Sequence, residues 1–246
     1  GIETVSGILE KESMQLNEAY VKYIAEKTPF VILKTAMTLD GKIATPEGES
    51  KWITWEKARA FVHRIRGSVD AIVTAIGTVK ADDPQMTARV RGMKSPKRIV
   101  IDPNLEMTMD ARILQMPPET ILVIKAGIRG QGLGIGEKKK LLLDKGIEMI
   151  EYESEKLDLK WLMKELGKME ITSVLIEGGS SLNSHALESG IVDKALFFIA
   201  QKIIGGRESF PCVGGKAFRK LPEAHTLKDV KVKRIGEDIL IEGYFR

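Results

Sequence analysis

Residues 29–54 read PFVILKTAMTLDGKIATPEGESKWIT. The apolar run from Phe30 to Ala36 predicts a core strand. Turn-forming residues follow at Asp40-Gly41, Pro46 and Gly48, so the strand is expected to lead directly into a loop. Loops carried by a rigid strand are where binding groups concentrate. This stretch therefore predicts both the first strand of a sheet and a place for a functional site.

Alternating patterns continue on the C-terminal side of this loop. Thr54 is expected to cap a helix over 56–66, and a single helix is expected over 9–24 on the other side. Further helices are predicted over 137–144, 159–169 and 182–189. Strands are predicted over 70–75, 97–102, 120–125, 147–152, 173–176 and 193–204, with a terminal hairpin over 230–235 and 238–245. This order predicts an α/β protein with helices on both faces of one mixed sheet.

The composition limits the function classes. The 246 residues carry a net charge of +4 and only 6% aromatic side chains, so the sequence does not favour nucleic-acid binding. No apolar run approaches the roughly 20 residues that a membrane helix needs. Cys212 is the single cysteine, which fits a reducing compartment such as the cytoplasm. The mild positive charge either favours a small anionic ligand or serves only solubility.

The segment 177–181, Glu-Gly-Gly-Ser-Ser, is a second candidate for a site. It follows a predicted strand and precedes a predicted helix, so its hydroxyls and free N–H groups could bind an anion. A plain helix cap would explain the serines but not the two glycines or the carboxylate. The glycine run 130–136 lacks the Gly-x-Gly-x-x-Gly spacing and is interpreted as a flexible loop.

Several common chemistries lack their sequence patterns. There is no Gly-x-x-x-x-Gly-Lys-Ser/Thr phosphate loop and no Gly-x-Ser-x-Gly elbow. The three histidines and one cysteine are far apart and do not have zinc-ligand spacing, so no metal is predicted. The pattern of zinc deaminases is also absent, because Glu188 lies one residue too far from His185 and Cys212 lacks a second cysteine.

Ordered motifs carry a resemblance to a known family. They are TAMTLDGKIAT, GESKWIT, ADDPQMTARV, IEGGSSLN and ESGIVDKALFFIAQKIIGG. Together they make residues 29–246 similar to the reductase domain of the bifunctional riboflavin-biosynthesis protein RibD. Residues 1–28 resemble the tail of the deaminase domain that precedes this reductase. The resemblance thus implies either a reductase-domain fragment or a natural chain that has lost its first domain.

The family implies a dihydrofolate-reductase-like fold, with three layers around a mixed, mostly parallel sheet and a C-terminal antiparallel hairpin. It also implies NADPH-dependent reduction of 5-amino-6-(5-phosphoribosylamino)uracil, in which hydride reaches C1′ and the ribosyl group becomes ribityl. The alternatives are a 2,5-diamino-pyrimidinone phosphate or a folate as substrate, or a non-catalytic remnant that binds a nucleotide. The family further implies a phosphorylated pyrimidine as the small-molecule substrate, and pairing of two copies of the chain in a homodimer.

The resemblance assigns two groups of residues. Those that match substrate-contacting positions are Lys34, Ser50, Arg66, Met86, Arg89 and Glu177. Those that match NADPH-binding positions are Ala36, Trp52, Thr78, Asp82, Pro103, Gly179, Ser180, Ser181 and Leu182. The two arginines suit the 5′-phosphate, because guanidinium binds phosphate oxygens in pairs, and Glu177 suits the pyrimidine.

The sequence leaves three assignments undecided. Pro103 stands where relatives often carry a hydroxyl residue, and proline offers neither a hydroxyl nor an N–H group. Lys80, Lys125 and Arg129 are equal candidates for the 2′-phosphate of the cofactor. Asp40 and Lys42 are either an acid–base pair or simply a turn beside a solvated lysine, and water or the substrate is the other possible proton source. The remaining basic residues of 56–66, among them Arg59 and His63, are expected to form a solvated helix face.

Overall fold

Strands and helices alternate along the chain as its apolar patterns predict. The computed structural model describes residues 2–115, 117–128, 134–216 and 220–245. The strands are β1 (Phe30–Thr38), β2 (Lys42–Ala44), β3 (Ala71–Ala75), β4 (Lys97–Ile101), β5 (Thr120–Lys125), β6 (Glu148–Tyr152), β7 (Ser173–Ile176), β8 (Lys194–Ala200), β9 (Phe210–Pro211), β10 (Lys228–Ile235) and β11 (Asp238–Tyr244). The α-helices are α1 (Glu10–Leu16), α2 (Glu18–Glu26), α3 (Glu56–Arg66), α4 (Ile76–Asp82), α5 (Ile135–Asp144), α6 (Leu159–Lys168) and α7 (Ser180–Glu188).

In the described residues, nine strands form one sheet in the order β10-β11-β8-β1-β7-β3-β4-β5-β6. The seven strands from β8 to β6 in this order are parallel to one another. β11 pairs antiparallel with both β8 and β10, which makes the sheet mixed. The prediction of an α/β fold with a mostly parallel sheet and a terminal hairpin is therefore confirmed.

The core lies on both faces of the sheet, because successive side chains of a strand point to opposite sides. On one face, alternate residues of the central strands pack against α6 and α7. On the other face, the intervening residues pack against α4 and α5, and at the β8–β11 end against α3. The helices thus form a layer on each side of the sheet, and the carboxyl ends of the parallel strands meet along one edge.

The predicted helix 9–24 is wrong in one respect, because it is two helices. Asn17 separates α1 from α2, and its side-chain Nδ2 donates to the Ser13 carbonyl at 2.9 Å. An asparagine side chain competes with the backbone for such carbonyls, which favours a break. The predicted strand 193–204 is also too long, because the amide of Lys202 turns back to the Ala200 carbonyl.

The predicted cap at Thr54 is wrong as well. α3 begins at Glu56, its N-cap is Trp55, and no side chain of the cap residue bonds the helix. The Trp55 N–H instead donates to Oδ2 of Asp238 at 2.8 Å, so the C-terminal hairpin holds the start of this helix. A short ribbon of β2 and β9, which the sequence did not predict, closes the loop that follows β1.

Candidate active site

A charged cluster lies where β7 ends. Glu177 directly follows this strand, and Lys34 lies on the neighbouring strand β1. Ile32 and Ala36 of β1 pack against the α3 side of the sheet, so Lys34 between them points to the same side. Arg66, the last residue of α3, reaches Glu177 from there. Its Nε donates to Oε1 at 2.7 Å, its Nη2 donates to Oε2 at 2.9 Å, and Lys34 Nζ lies 3.4 Å from Oε2.

The electrostatics of this cluster fix the charge of Glu177. Burial raises its pKa, but the charges and hydrogen bonds of Arg66 and Lys34 outweigh burial and lower the pKa to about 2. For Arg66 the signs are opposite. Burial lowers its pKa, but the charge and hydrogen bonds of Glu177 outweigh burial, so its pKa is raised. At neutral pH, Glu177 is therefore an ionised carboxylate that can only accept hydrogen bonds.

The predicted phosphate arginines lie in different surroundings. Arg66 directs two of its N–H groups at Glu177, and its Nη1 donates to the Thr87 carbonyl at 3.3 Å. Arg89 is exposed, and its side chain donates to Gln85 Oε1 at 2.8 Å and to Thr87 Oγ1 at 3.3 Å. Met86 is only 4% exposed, so it offers a ligand little accessible surface. Of the two arginines, Arg89 is the more available to a phosphate.

The loop before α3 carries Ser50 and Trp52. Ser50 Oγ donates to Asp82 Oδ1 at 3.1 Å, and Lys51 Nζ donates to the Asp82 carbonyl at 2.9 Å. A residue predicted to bind substrate and one predicted to bind cofactor are thus in direct contact. The Trp52 ring is 63% exposed, and the Arg59 guanidinium lies 4.6 Å from its centre. This stacking holds the indole beside the site without burying it.

The start of α7 provides the elements of an anion site. Gly178 lets the backbone before α7 pack closely against the Leu182 side chain, because a Cβ atom at this position would come within 2.6 Å of it. Gly179 is the N-cap of α7, and no side-chain hydrogen bond caps this end within the described residues. The N–H groups of Ser180, Ser181 and Leu182 belong to the first turn, which has no intrahelical acceptors. Such a helix end attracts phosphate groups.

Thr78 lies beside this helix end, since its Oγ1 is 3.9 Å from where a Cβ of Gly179 would be. The donor set of backbone N–H groups and hydroxyls matches the chemistry of a pyrophosphate, so these residues fit a dinucleotide cofactor. Helix α7 begins at Ser180, two residues before the predicted start. The two serines are therefore part of the helix and not of the preceding loop.

Pro103 and Lys125 lie together at the carboxyl ends of β4 and β5, and Lys80 lies on α4. The amide of Lys125 donates to the Pro103 carbonyl at 3.1 Å. Lys80 forms an ion pair with Glu106, so its charge is already partly neutralised. Arg129 lies outside the described residues, as does the glycine run from 130 to 133.

Asp40 has a structural environment. Its carboxylate accepts hydrogen bonds from Thr38 Oγ1 at 2.6 Å, from the Gly205 amide at 2.7 Å and from the Ile204 amide at 3.2 Å. These bonds, the one from Thr38 first, lower the pKa of Asp40 to about 2. Lys42 Nζ lies 3.5 Å from the Ser209 carbonyl, to which it donates. Asp40 is therefore suited to joining two loops and unsuited to donating a proton near neutral pH.

Sequence reasoning missed two residues on the inner face of α3. Arg59, as above, stacks on Trp52, and His63 Nδ1 lies 3.0 Å from the Thr87 carbonyl. Together with Arg66 they have the spacing i, i+4 and i+7, which places all three on one helix face. That spacing could have grouped the three residues on one face, but it does not show what the face contacts.

In the described part of the chain, no group of three or more His, Cys, Asp or Glu side chains could hold a metal ion. None of the helices in these residues has the length and apolar character needed to cross a bilayer.

The fold and the site together define a class of protein. This is an α/β protein whose charged site lies at the carboxyl ends of parallel strands, beside a helix start suited to phosphate. Ligands of open α/β sheets bind at this edge. The family described as RibD C-terminal domain matches residues 29–241. The chain belongs to this family.

Individual relatives agree with this assignment. The chain is 41% identical to the riboflavin biosynthesis protein RibD of Actinobacillus pleuropneumoniae, over 98% of this chain and 64% of that protein. It is 35% identical to a 2,5-diamino-6-ribosylamino-4(3H)-pyrimidinone 5′-phosphate reductase of Methanothermobacter thermautotrophicus, over 87% of this chain and 97% of the relative. The chain thus spans about two thirds of the RibD protein but nearly the whole of the second relative.

A solved structure shows the same fold. It is that of a diaminohydroxyphosphoribosylaminopyrimidine deaminase/5-amino-6-(5-phosphoribosylamino)uracil reductase of Thermotoga maritima. The two structures superpose with a TM-score of 0.82 at 29% identity, covering 99% of this chain and 64% of the other.

Proposed function

We propose that this protein is an NADPH-dependent reductase of riboflavin biosynthesis that converts the ribosyl group of 5-amino-6-(5-phosphoribosylamino)uracil into a ribityl group. Membership of the RibD C-terminal domain family and the name of the Thermotoga maritima relative support this substrate. The observation that carries the proposal is the ionised Glu177, held between Arg66 and Lys34 and next in sequence to the uncapped start of α7.

One group of residues would bind the cofactor, and another would bind the pyrimidine phosphate. The N–H groups of Ser180, Ser181 and Leu182, with Thr78 beside them, would hold the cofactor pyrophosphate. When bound, the cofactor supplies the hydride that reduces C1′ of the opened sugar. Glu177 would accept hydrogen bonds from the pyrimidine, and its fixed negative charge disfavours a ring that presents only acceptors there. Arg89 and Lys34 would neutralise the phosphate.

The remaining step is a proton transfer. Asp40 is ionised at neutral pH because its pKa is about 2, so it has no proton to give. The proton that completes the reduction would then come from water or from the substrate itself. The protein contributes mainly by orienting both ligands and by keeping them close together.

The second candidate substrate is the 2,5-diamino-pyrimidinone phosphate. The name of the Methanothermobacter thermautotrophicus relative favours it, because this chain covers 97% of that protein at 35% identity. The two pyrimidines differ in the group at the ring 2-position. The 2-oxo group of the uracil is an acceptor and the 2-amino group of the other compound is a donor. A carboxylate facing the 2-position would therefore favour the diamino compound, whereas a carboxylate facing a ring N–H would accept from the uracil.

Absorbance measurements of NADPH oxidation with each pyrimidine phosphate test the proposal. The parent chain should turn over the uracil compound with the higher kcat/KM. Arg89→Ala should lose about 2 kcal/mol of transition-state binding, because it removes a charged hydrogen-bonding group from the phosphate. Arg66→Ala is a poorer test, since it also leaves Glu177 buried with Lys34 alone. NADH in place of NADPH, under the same conditions, reports the cofactor preference.

Two outcomes would contradict this reading. A higher kcat/KM with the diamino compound would assign the second substrate. Binding of NADPH without oxidation of it in the presence of either pyrimidine would leave a nucleotide-binding protein that is not this reductase.

Three finer expectations stay predictions. They are the homodimer, the cytoplasmic location, and the origin of residues 1–28 as the tail of a deaminase domain. The apolar strand β8 lies between β1 and β11, so its edges are used inside the sheet. A second copy would therefore have to use another surface.

A further inference from the structure

Two side chains of α3 form hydrogen bonds with the Thr87 carbonyl. His63 Nδ1 lies 3.0 Å from this oxygen, and Arg66 Nη1 donates to it at 3.3 Å. A carbonyl oxygen can only accept, so the His63 ring must carry its proton on Nδ1. Burial lowers the pKa of His63, which favours the neutral ring near neutral pH and leaves Nε2 without a proton. His63 thus acts here as a neutral donor in a defined tautomer.

The segment that receives these bonds has no regular structure of its own. It runs from residue 83 to residue 96, between α4 and β4. Met86 and Arg89, on either side of Thr87, both have φ of 53°, a left-handed conformation that is costly for residues other than glycine. Such conformations persist only where the surroundings hold them in place. The segment therefore depends on bonds from outside it.

The Arg112 amide donates to Asp83 Oδ1 at 2.9 Å at the start of the segment, and Arg66 Nη2 lies 3.9 Å from Met86 Sδ. Around Thr87, two backbone carbonyls receive the other bonds from outside. Arg98 Nη1 donates to the Gln85 carbonyl at 3.2 Å, and His63 and Arg66 hold the Thr87 carbonyl. Arg66 gives its two shorter bonds to Glu177. His63 makes the shorter of the two contacts with Thr87, so it is the main anchor of this part of the segment.

Arg89 depends on the same anchor. Its Nε donates to Thr87 Oγ1 and its Nη2 to Gln85 Oε1, so its guanidinium is oriented by the side chains of the two residues whose carbonyls are held. The charged groups near His63 are Arg66, Arg89 and Glu177. A neutral ring holds the segment without adding a third positive charge beside the two arginines.

We propose that His63 is a positioning residue that holds the Thr87 carbonyl and thereby places Arg89 for the phosphate of the substrate. This inference rests on the proposed function, since it assigns Arg89 to a phosphate ligand. His63 acts through the segment 85–89 and does not itself need to touch the substrate.

Three substitutions separate this role from a direct contact. Asparagine places its amide nitrogen where Nδ1 lies, because both atoms are bonded to Cγ. Glutamine carries its amide nitrogen one atom further out, near the place of Nε2. Alanine has neither group. Arg64→Ala, at an exposed position of the same helix, is the matched control for changes to α3.

Steady-state kinetics of the parent and these variants give the first readout. His63→Ala and His63→Gln should raise KM for the pyrimidine phosphate about five- to tenfold, as expected for one lost hydrogen bond. His63→Asn should stay within about twofold of the parent, and KM for NADPH should not change in any variant. Rescue by glutamine but not by asparagine would overturn the proposal, because it would mean that Nε2 contacts the ligand directly. Unchanged KM in His63→Ala would also overturn it.

Limited trypsin digestion gives a second readout that does not need activity. Arg89 and Arg91 are exposed cleavage sites in this segment, and cleavage in a native protein follows local opening. His63→Ala and His63→Gln should be cut there several times faster than the parent, whereas His63→Asn and Arg64→Ala should not. If the parent shows no turnover, the proposed function fails, but this comparison still tests the anchor. Equal cleavage in all variants would overturn it.

Discussion

Glu177 shows how one buried side chain sets the charge of the site. Its side chain is 6% exposed, and a carboxylate so placed is costly to bury without partners. Arg66 and Lys34 supply those partners, and they keep its pKa at about 2 in spite of burial. The same contacts therefore offset the cost of burying Glu177 and keep its carboxylate ionised, so that it can accept hydrogen bonds.

This depressed pKa predicts how stability depends on pH. The folded-state pKa of Glu177 lies below the ordinary value of 4.5, so its stabilisation is complete above that value and is lost as the pH falls toward 2. Glu177→Gln removes the titrating group. The advantage of the parent over this variant, measured by urea unfolding, should shrink by about 3 kcal/mol between pH 5 and pH 2.

Glu237→Gln is the matched control, because Glu237 pairs with Arg234 in a fully exposed position. The difference between this control and the parent should stay nearly constant over the same range. A parallel loss of stability in the parent and in Glu177→Gln would show that Glu177 does not carry the depressed pKa.

Sequence reasoning at this scale named residues but not their partners. The resemblance assigned Lys34, Arg66 and Glu177 to the site, yet 111 residues separate Arg66 from Glu177 and no local pattern links them. Their meeting depends on strand order, which the alternating pattern does not specify. His63 was expected to face solvent because helical spacing shows which residues share a face, but not what that face meets.

Among the elements, α3 depends on a distant strand for its start. Asp238 at the beginning of β11 is fully buried, and its Oδ2 accepts from the Trp55 N–H. The hydroxyl of Thr54, which the sequence predicted as the cap, does not make this bond. The C-terminal hairpin therefore fixes the helix that carries His63 and Arg66.

Substitutions at Asp238 and Thr54 distinguish the observed cap of α3 from the predicted one. Asp238→Ala should lower the free energy of unfolding by about 2 kcal/mol, because the Trp55 N–H loses its acceptor. Asp238→Asn retains an acceptor oxygen and should lose less than half as much. Thr54→Val keeps the volume and removes only the hydroxyl, so it should change stability by less than about 0.5 kcal/mol. A larger loss for Thr54→Val than for Asp238→Ala in urea unfolding would restore the predicted cap.

Element bounds were predictable where the pattern was continuous. The bounds of β5 and β7 agree with the predicted 120–125 and 173–176, because short apolar runs with clear flanking residues define them. The strands β2 and β9 are three and two residues long, which is too short for any period to be read. Their pairing is set by contacts between loops, and those contacts depend on the folded sheet.

Over the whole molecule, helix α2 is joined to the sheet by polar contacts that are partly or largely buried. Lys22 Nζ lies 2.5 Å from Asp193 Oδ2, with side chains 11% and 6% exposed. Glu18 accepts from Lys194 Nζ at 2.9 Å and from the Tyr244 hydroxyl at 2.6 Å. These bonds cross the boundary predicted at residue 28. They predict that residues 18–26 unfold together with the sheet.

A substitution at Lys22 tests this coupling. Lys22→Met removes the cation from a buried pair, which typically costs about 3 kcal/mol, and the loss should lower the unfolding midpoint of the entire protein. Far-UV circular dichroism and the fluorescence of the tryptophans should report one shared transition. Lys11→Met is the control, because Lys11 and Asp229 form an exposed pair that should contribute less than about 1 kcal/mol. If α2 were a separate appendage, Lys22→Met would leave the tryptophan transition unchanged, because the sheet would not sense the loss of that helix.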